Sequence, residues 1–342
     1  MKRFVVALAA IACAAITPCF GKTSAKPNAK AMDSLSYCLG VKIGSSIREQ
    51  LSQVPFDLKR VREGMTKGYT QKSKQTQEEA VAILDAFFSG EFRERCDAYE
   101  NAVKEGSTAP FKPFLTKKQC KTVSYAFGVD VGNNLYRANF PILINWVWSG
   151  FEGAWTENTV MDKEQVLHYL SHYFMTVVPA QNDARSKAWI EAKRLEEGVK
   201  STESGLLYKI IEAGDMSKAA KSDYDIVKVH YVGRLQNGGV FDASRFALCN
   251  EDMKTLIRKT HPEKFDKDGN LIGEDQPVKF PLNRVIPGWT EGMKLIGPGG
   301  KIILYIPAEL AYDNRGAGRL IGPNEALEFE VELLEVMPDP TN

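Results

Sequence analysis

One segment of this chain occurs twice. Leu35-Ser36-Tyr37-Cys38-Leu39-Gly40-Val41-Lys42-Ile43-Gly44 returns 88 residues later as Val123-Ser124-Tyr125-Ala126-Phe127-Gly128-Val129-Asp130-Val131-Gly132. The likeness continues, since Val61-Arg62-Glu63-Gly64 parallels Val147-Trp148-Ser149-Gly150 and Glu79–Phe88 parallels Glu164–Tyr173. A repeat of this kind is a supersecondary unit that cannot bury its apolar face alone. Apolar residues recur at helical spacing in both copies, so each predicts two or three helices, the third opening near Gln77 or Asp162. The copies cover residues 31–104 and 114–179. Between them Glu105–Pro113, with Gly106, Ser107, Thr108 and two prolines, reads as a linker. Residues 180–198 then combine good helix formers with interleaved charges and stop at Gly198, which predicts an exposed connecting helix.

Beyond that helix the pattern changes. Strand-like runs appear at Leu207–Ile211, Ile226–Leu235, Lys301–Ile306 and Leu327–Val336, separated by turns rich in glycine and proline. Pro287–Met293 reads as a short helix. Residues 199–342 therefore predict an α+β domain with an antiparallel sheet wrapped on that helix, behind an all-α N-terminal region. A length of 342 residues suits such a multidomain chain. A net charge of +1 gives no special attraction for nucleic acid or acidic membranes.

The N-terminus carries Lys2-Arg3, an apolar stretch over Phe4–Ile16, and small residues at Cys19 and Gly21. Nothing amphipathic supports a core helix there, so residues 1–21 read as a secretory signal peptide and imply an exported, periplasmic protein. Cys13 follows Ala-Ile-Ala and offers an alternative lipid anchor. After export Cys38, Cys96, Cys120 and Cys249 remain. Cys96 and Cys120 are the best-placed disulfide pair in sequence, and buried free thiols are an equal alternative. The cysteine spacing fits no metal motif, and neither a metal nor a cofactor is expected. His168 and His172 lack the glutamate of a zinc-hydrolase helix, and Asp266-Lys267-Asp268-Gly269 misplaces the glycine of an EF-hand. No Ser/His/Asp or Cys/His set has supporting context.

The chemistry lies elsewhere, in two blocks. The first is Val229-His230-Tyr231-Val232-Gly233-Arg234-Leu235 with Gly238-Gly239-Val240-Phe241-Asp242-Ala243-Ser244. The second is Phe280-Pro281-Leu282 with Val285-Ile286-Pro287-Gly288-Trp289-Thr290-Glu291-Gly292-Met293. Together they resemble the FKBP family of peptidyl-prolyl cis–trans isomerases. The doubled helical region is similar to the N-terminal dimerisation domain of exported FKBPs of the macrophage infectivity potentiator type. The resemblance implies catalysis by an apolar, aromatic pocket. It makes Tyr231 and Phe241 the walls, Trp289 the floor under the proline ring, and Val285 and Ile286 an adjoining apolar pair. In it the Ile286 amide faces the peptide and the Tyr312 hydroxyl contacts a substrate carbonyl. Asp242 is implied as a largely buried carboxylate beside the reactive amide, with Arg245 as its candidate partner. Ile321 and Phe329 complete the far side.

This chain departs from the family pattern at several points. Val278 stands where a second aromatic is common, Asp313 where glycine is common, and Gly322 where proline is common. An insertion over residues 245–276 separates the two blocks. The implied substrates are X–Pro bonds in unfolded or nascent exported proteins, and macrolide-type compounds are implied inhibitors. The resemblance favours a homodimer, with an intrachain pseudo-dimer of the two copies as the alternative. A chaperone or peptide-binding protein with weak or vestigial isomerase activity is the alternative function.

Overall fold

In a computed structural model the described residues are 33–138, 141–318 and 320–338. The predicted signal peptide and Cys13 lie outside them. The chain divides into two compact units, one running to Met175 and the other starting at Thr176.

Side-chain caps open the helices of the first unit. Asp33 accepts from the Ser36 amide at 2.7 Å to start α1 (Ser34–Leu51), and Asp57 opens α2 (Leu58–Tyr69) in the same way. Thr76 and Glu79 form a capping box on α3 (Gln77–Asp85), a pairing that satisfies two otherwise unpaired amides. A π-helical stretch, Ala86–Glu91, leads into α4 (Phe92–Lys104). The second copy follows the same plan. It has α5 (Lys117–Ala138), α6 (Ile144–Trp155), α7 (Lys163–His172) behind an Asp162/Gln165 capping box, a π-helical Tyr173–Val177, and α8 (Val178–Arg194). In order along the chain, α8 holds in the second copy the place that α4 holds in the first.

The two copies are crossed. Helix α1 of the first packs on α6 of the second, and α2 packs on α5. The repeated glycines lie at these crossings. A Cβ on Gly40 would stand 2.0 Å from the Val147 carbonyl oxygen, and one on Gly150 2.1 Å from that of Tyr37. The other crossing repeats this, Gly64 against Tyr125 at 2.3 Å and Gly128 against Val61 at 2.1 Å. The repeated serines work reciprocally as well. Ser36 Oγ accepts from the Leu143 amide at 2.8 Å, and Ser124 Oγ from the Asp57 amide at 2.9 Å, each at the start of the other copy's second helix. Leu39, Ile47, Met65, Leu135 and Phe151 fill the space between, each at most 1% exposed. Burial of such a side chain contributes roughly 1.5–3 kcal/mol.

The second unit is a seven-stranded antiparallel sheet. Its strands are β1 (Lys200–Ser201), β2 (Leu207–Glu212), β3 (Ile226–Leu235), β4 (Val240–Ala243), β5 (Val278–Pro281), β6 (Lys301–Ile306) and β7 (Leu327–Met337). Their order is β1-β2-β6-β7-β3-β4, with β5 also paired to β3. The four long runs read from the sequence are present. The four-residue β4 and β5 are additions, too short to show an alternation. On β7 the two-residue period buries Leu327, Phe329, Val331 and Leu333 on one face. Helix α10 (Pro287–Gly292) packs against β6. It approaches closely because Gly288 and Gly292 face Ile306 and Leu304, where a Cβ would come within 2.5 and 2.6 Å.

The connecting helix differs from its sequence reading. It starts at Val178, continuous with the π-helical stretch, and it is not simply exposed: Val178, Asn182, Ser186 and Ile190 form a buried face. Its charges, Asp183, Lys187 and Glu191, do face outward. The insertion holds α9 (Glu251–Thr260), capped by Asn250, and a small centre in which the Phe246 and Phe265 rings lie 5.0 Å apart under Arg258. Asn250 Nδ2 donates to the Val240 carbonyl at 2.8 Å, tying the insertion to β4. Cys38, Cys96, Cys120 and Cys249 are free thiols.

Candidate functional site

The β-period of β3 puts Val227, Val229, Tyr231 and Gly233 on one face of the sheet. Gly233 leaves that face open, because a Cβ there would meet the Phe241 ring at 2.6 Å and the Phe329 ring at 2.8 Å. Those rings come from β4 and β7 and meet edge-on, centroids 5.5 Å apart. Trp289, carried up by α10, is 4% exposed and sits among three rings. Tyr231, Phe280 and Phe329 approach its indole edge-on at 5.4, 5.6 and 5.2 Å, the geometry that matches positive ring edges to a negative face. Val285, Ile286, Tyr312 and Ile321 join the same apolar cluster. The apolar and aromatic members of the sequence-predicted set, apart from Val278, thus share one cluster.

Polar groups stand at its margin. Tyr231 Oη donates to Asp242 Oδ2 at 2.7 Å. Burial, and secondly this bond, push the Tyr231 phenol far above its ordinary range. Burial and then the charge of Asp242 raise Tyr312 too, so both phenols remain donors at neutral pH. The Ile286 amide, just ahead of α10, has no hydrogen-bond acceptor among the described residues.

Two expectations are corrected. Asp242 is exposed, not largely buried, because it is the third residue of the short edge strand β4 and lies on its solvent side. Arg245 does not pair with it: its Nη2 bonds Glu332 Oε2 on β7 at 2.6 Å and holds that carboxyl below its ordinary range. Val278 is half-buried on β5 opposite Val229, outside the ring cluster. The second aromatic comes instead from Phe280, two residues further along the same strand face. Phe280 was visible in the second sequence block, and its strand spacing from Val278 was the signal that could have found it.

The segment between β6 and β7 carries Tyr312 and Ile321. Asp313 has φ +51°, which accounts for the family's glycine there, and aspartate is among the residues that tolerate this region. Its carbonyl accepts from the Asn324 amide at 2.8 Å, and Ala317 and Ile321 form a small antiparallel bridge.

Comparison with known proteins identifies the family of both regions. A family profile described as FKBP-type peptidyl-prolyl cis-trans isomerase matches residues 217–334. A second, described as the domain amino terminal to FKBP-type peptidyl-prolyl isomerase, matches twice, over 32–122 and 120–210. The probable FKBP-type isomerase FkpA of Neisseria meningitidis serogroup B is 34% identical over 229 residues, 62% of this chain and 73% of that protein. FkpA of Escherichia coli O6:H1 is 40% identical over 256 residues, covering 70% and 83%. The outer membrane protein MIP of Legionella longbeachae is 32% identical over 228 residues, covering 63% and 84%. Likeness of this extent, reaching through both helical copies and the sheet, makes the chain a member of the FKBP-type peptidyl-prolyl cis–trans isomerases.

Proposed function

We propose that isomerisation takes place over Trp289, with each neighbouring group in a distinct role. Rotation about an X–Pro bond meets a barrier of about 18–20 kcal/mol because the planar amide is resonance-stabilised. In the twisted state that resonance is lost and the carbonyl–nitrogen dipole shrinks. A water-poor ring cluster disfavours the polar planar amide more than the twisted one, which is differential binding of the transition state. A 10⁴-fold acceleration requires only ~5.4 kcal/mol. Trp289 supports the proline ring, Tyr231, Phe241, Phe280 and Phe329 exclude water, and Val285, Ile286 and Ile321 line the approach. The unpartnered Ile286 amide and the Tyr312 hydroxyl take substrate carbonyls, and Asp242, oriented by Tyr231, faces the twisting amide. The 2.7 Å bond between Tyr231 and Asp242 at the edge of the Trp289 cluster carries this reading most directly.

The substrates are then unfolded or nascent exported proteins whose X–Pro bonds limit folding, and macrolide-type compounds would compete for the same cluster. Residues 1–21 direct export to the periplasm, with Cys13 as the alternative anchor. Among the described residues no helix is long and apolar enough to cross a membrane. The chain acts as an intrachain pseudo-dimer rather than a homodimer, a reading supported by the reciprocal glycine and serine contacts between its copies. The exposure of Asp242 and the insertion attached to β4 favour a second reading, a peptide-binding chaperone with a weak pocket.

A protease-free assay of cis–trans conversion in a short prolyl peptide separates the two. The wild type is expected to accelerate conversion clearly, and Asp242→Ala and Tyr312→Phe to lose about tenfold, the worth of one hydrogen bond of ~1.4 kcal/mol. A wild-type rate no higher than background would leave only the chaperone reading. Variants as fast as wild type would remove these two residues from the site.

A further inference from the structure

We infer that Ser186 is a positioning residue for the pocket: from α8 it fixes the β6–β7 segment that carries Tyr312 and Ile321. The inference rests on the site assignment above. It starts from an oddity of α8, whose buried face has two polar residues between Val178 and Ile190. Ser186 is 4% exposed and Asn182 1% exposed. Buried polar groups of this kind are costly unless every one is bonded, and here they are.

Ser186 Oγ donates to the Asn324 carbonyl at 2.6 Å and accepts from the Ala326 amide at 2.9 Å and from Gln236 Nε2 at 2.5 Å. Asn182 Nδ2 donates to the Pro323 carbonyl at 2.8 Å, and Asn324 Nδ2 returns a bond to the Pro179 carbonyl at 3.2 Å. Arg185 reaches the buried Glu325 carboxylate at 3.1 Å and Asn182 Oδ1 at 2.5 Å. Four consecutive residues, Pro323 to Ala326, are therefore each held by α8. Such thorough anchoring is unusual for a connection between strands, normally among the looser parts of a fold.

The anchored stretch touches the pocket from both ends. Asn324 sits at φ +57° and its amide bonds the Asp313 carbonyl at 2.8 Å, one residue beyond Tyr312. Ile321, three residues earlier, is 7% exposed and packs in the Trp289 cluster. Leu327 and Phe329 follow directly on β7. A shift of Asn324 would therefore move the Tyr312 hydroxyl and the Ile321 wall together. Misplacement of a group that holds the substrate equally before and during the reaction weakens binding and is read as a higher KM at unchanged kcat. Ser186 touches no substrate; it acts through Asn324.

The test is steady-state kinetics on the full chain with a prolyl peptide, well below the thermal midpoint of every variant. Ser186→Ala leaves the Asn324 carbonyl and the Ala326 amide unpaired. It is expected to raise KM about five- to tenfold with kcat within twofold of wild type, while exposed Lys187→Ala changes neither. A loss of stability alone would lower the thermal midpoint and leave KM untouched. If Ser186→Ala does not fold, Asn182→Ala, which removes one bond to Pro323, carries the same expectation at about threefold. An unchanged KM in the folded variant overturns the inference. Tyr312→Phe is run in parallel. If it too leaves KM unchanged, the site assignment has failed; if it alone raises KM, only the positioning role has.

Discussion

His230 lies next to Tyr231 on β3, and its imidazole reads the hydrogen bonding behind the site. Its Nδ1 is 3.1 Å from Ser244 Oγ, which also accepts from the Tyr231 amide at 2.9 Å. Burial first, and Arg245 second, hold His230 below the ordinary histidine range, against the opposing pull of Glu332 and Asp275. A histidine depressed in the folded state adds stability above its ordinary pKa of about 6.5 and loses it as pH falls through the folded value. The thermal midpoint should therefore fall between pH 7 and pH 5, and His230→Gln should remove part of that fall. Equal falls in both proteins would discard the assignment. The same neighbourhood marks a limit of sequence reasoning. The pairing of Arg245 with Glu332 joins residues 87 positions apart, and only the β3–β7 register brings Glu332 near. Proximity in sequence pointed to Asp242 instead.

Among the elements, the helix crossings impose the strictest geometry. At Gly64 a Cβ would lie 2.3 Å from backbone, an oxygen that cannot swing aside as a side chain can. Gly64→Ala should destabilise the helical unit by about 1–3 kcal/mol, the usual range for overpacking, read as a lower urea midpoint. Gly90→Ala, with nothing within 4 Å, should cost little. A Gly64→Ala midpoint matching wild type would show that the crossing relaxes. Part of this was legible beforehand, because the repeat itself marked the equivalent positions Ser36 and Ser124, Gly40 and Gly128, and Gly64 and Gly150, all of which lie at the crossings. The long strands were legible from their two-residue period. What escaped notice had no periodic signal. β4 and β5 have four residues each, and half of the buried side of α8 is Asn182 and Ser186, which look solvent-facing in any pattern based on polarity.

For the whole chain, the crossed copies form one helical pair, followed in sequence by one FKBP-type domain. Where α8 leads on to the sheet, its counterpart α4 leads only into residues 105–113, which fold back along it. Phe111 meets Tyr99 and Phe92, and Arg95 Nη1 donates to the Pro113 carbonyl at 2.5 Å. The first copy thus supplies a packing surface for the second. Light scattering should give the mass of a single chain, and a clear dimer would overturn the pseudo-dimer reading. A peptide titration should likewise saturate at one site per chain.

The short return through residues 105–113 has a thermodynamic consequence. Separate chains that build a helical scaffold by association lose it on dilution, since their stability depends on protomer concentration. Joining the copies replaces that dependence with an effective concentration on the order of millimolar, fixed by the tether and not by expression level. Assembly of the scaffold becomes a first-order folding step. A molecule present at trace amounts would hold its scaffold as completely as one at high abundance.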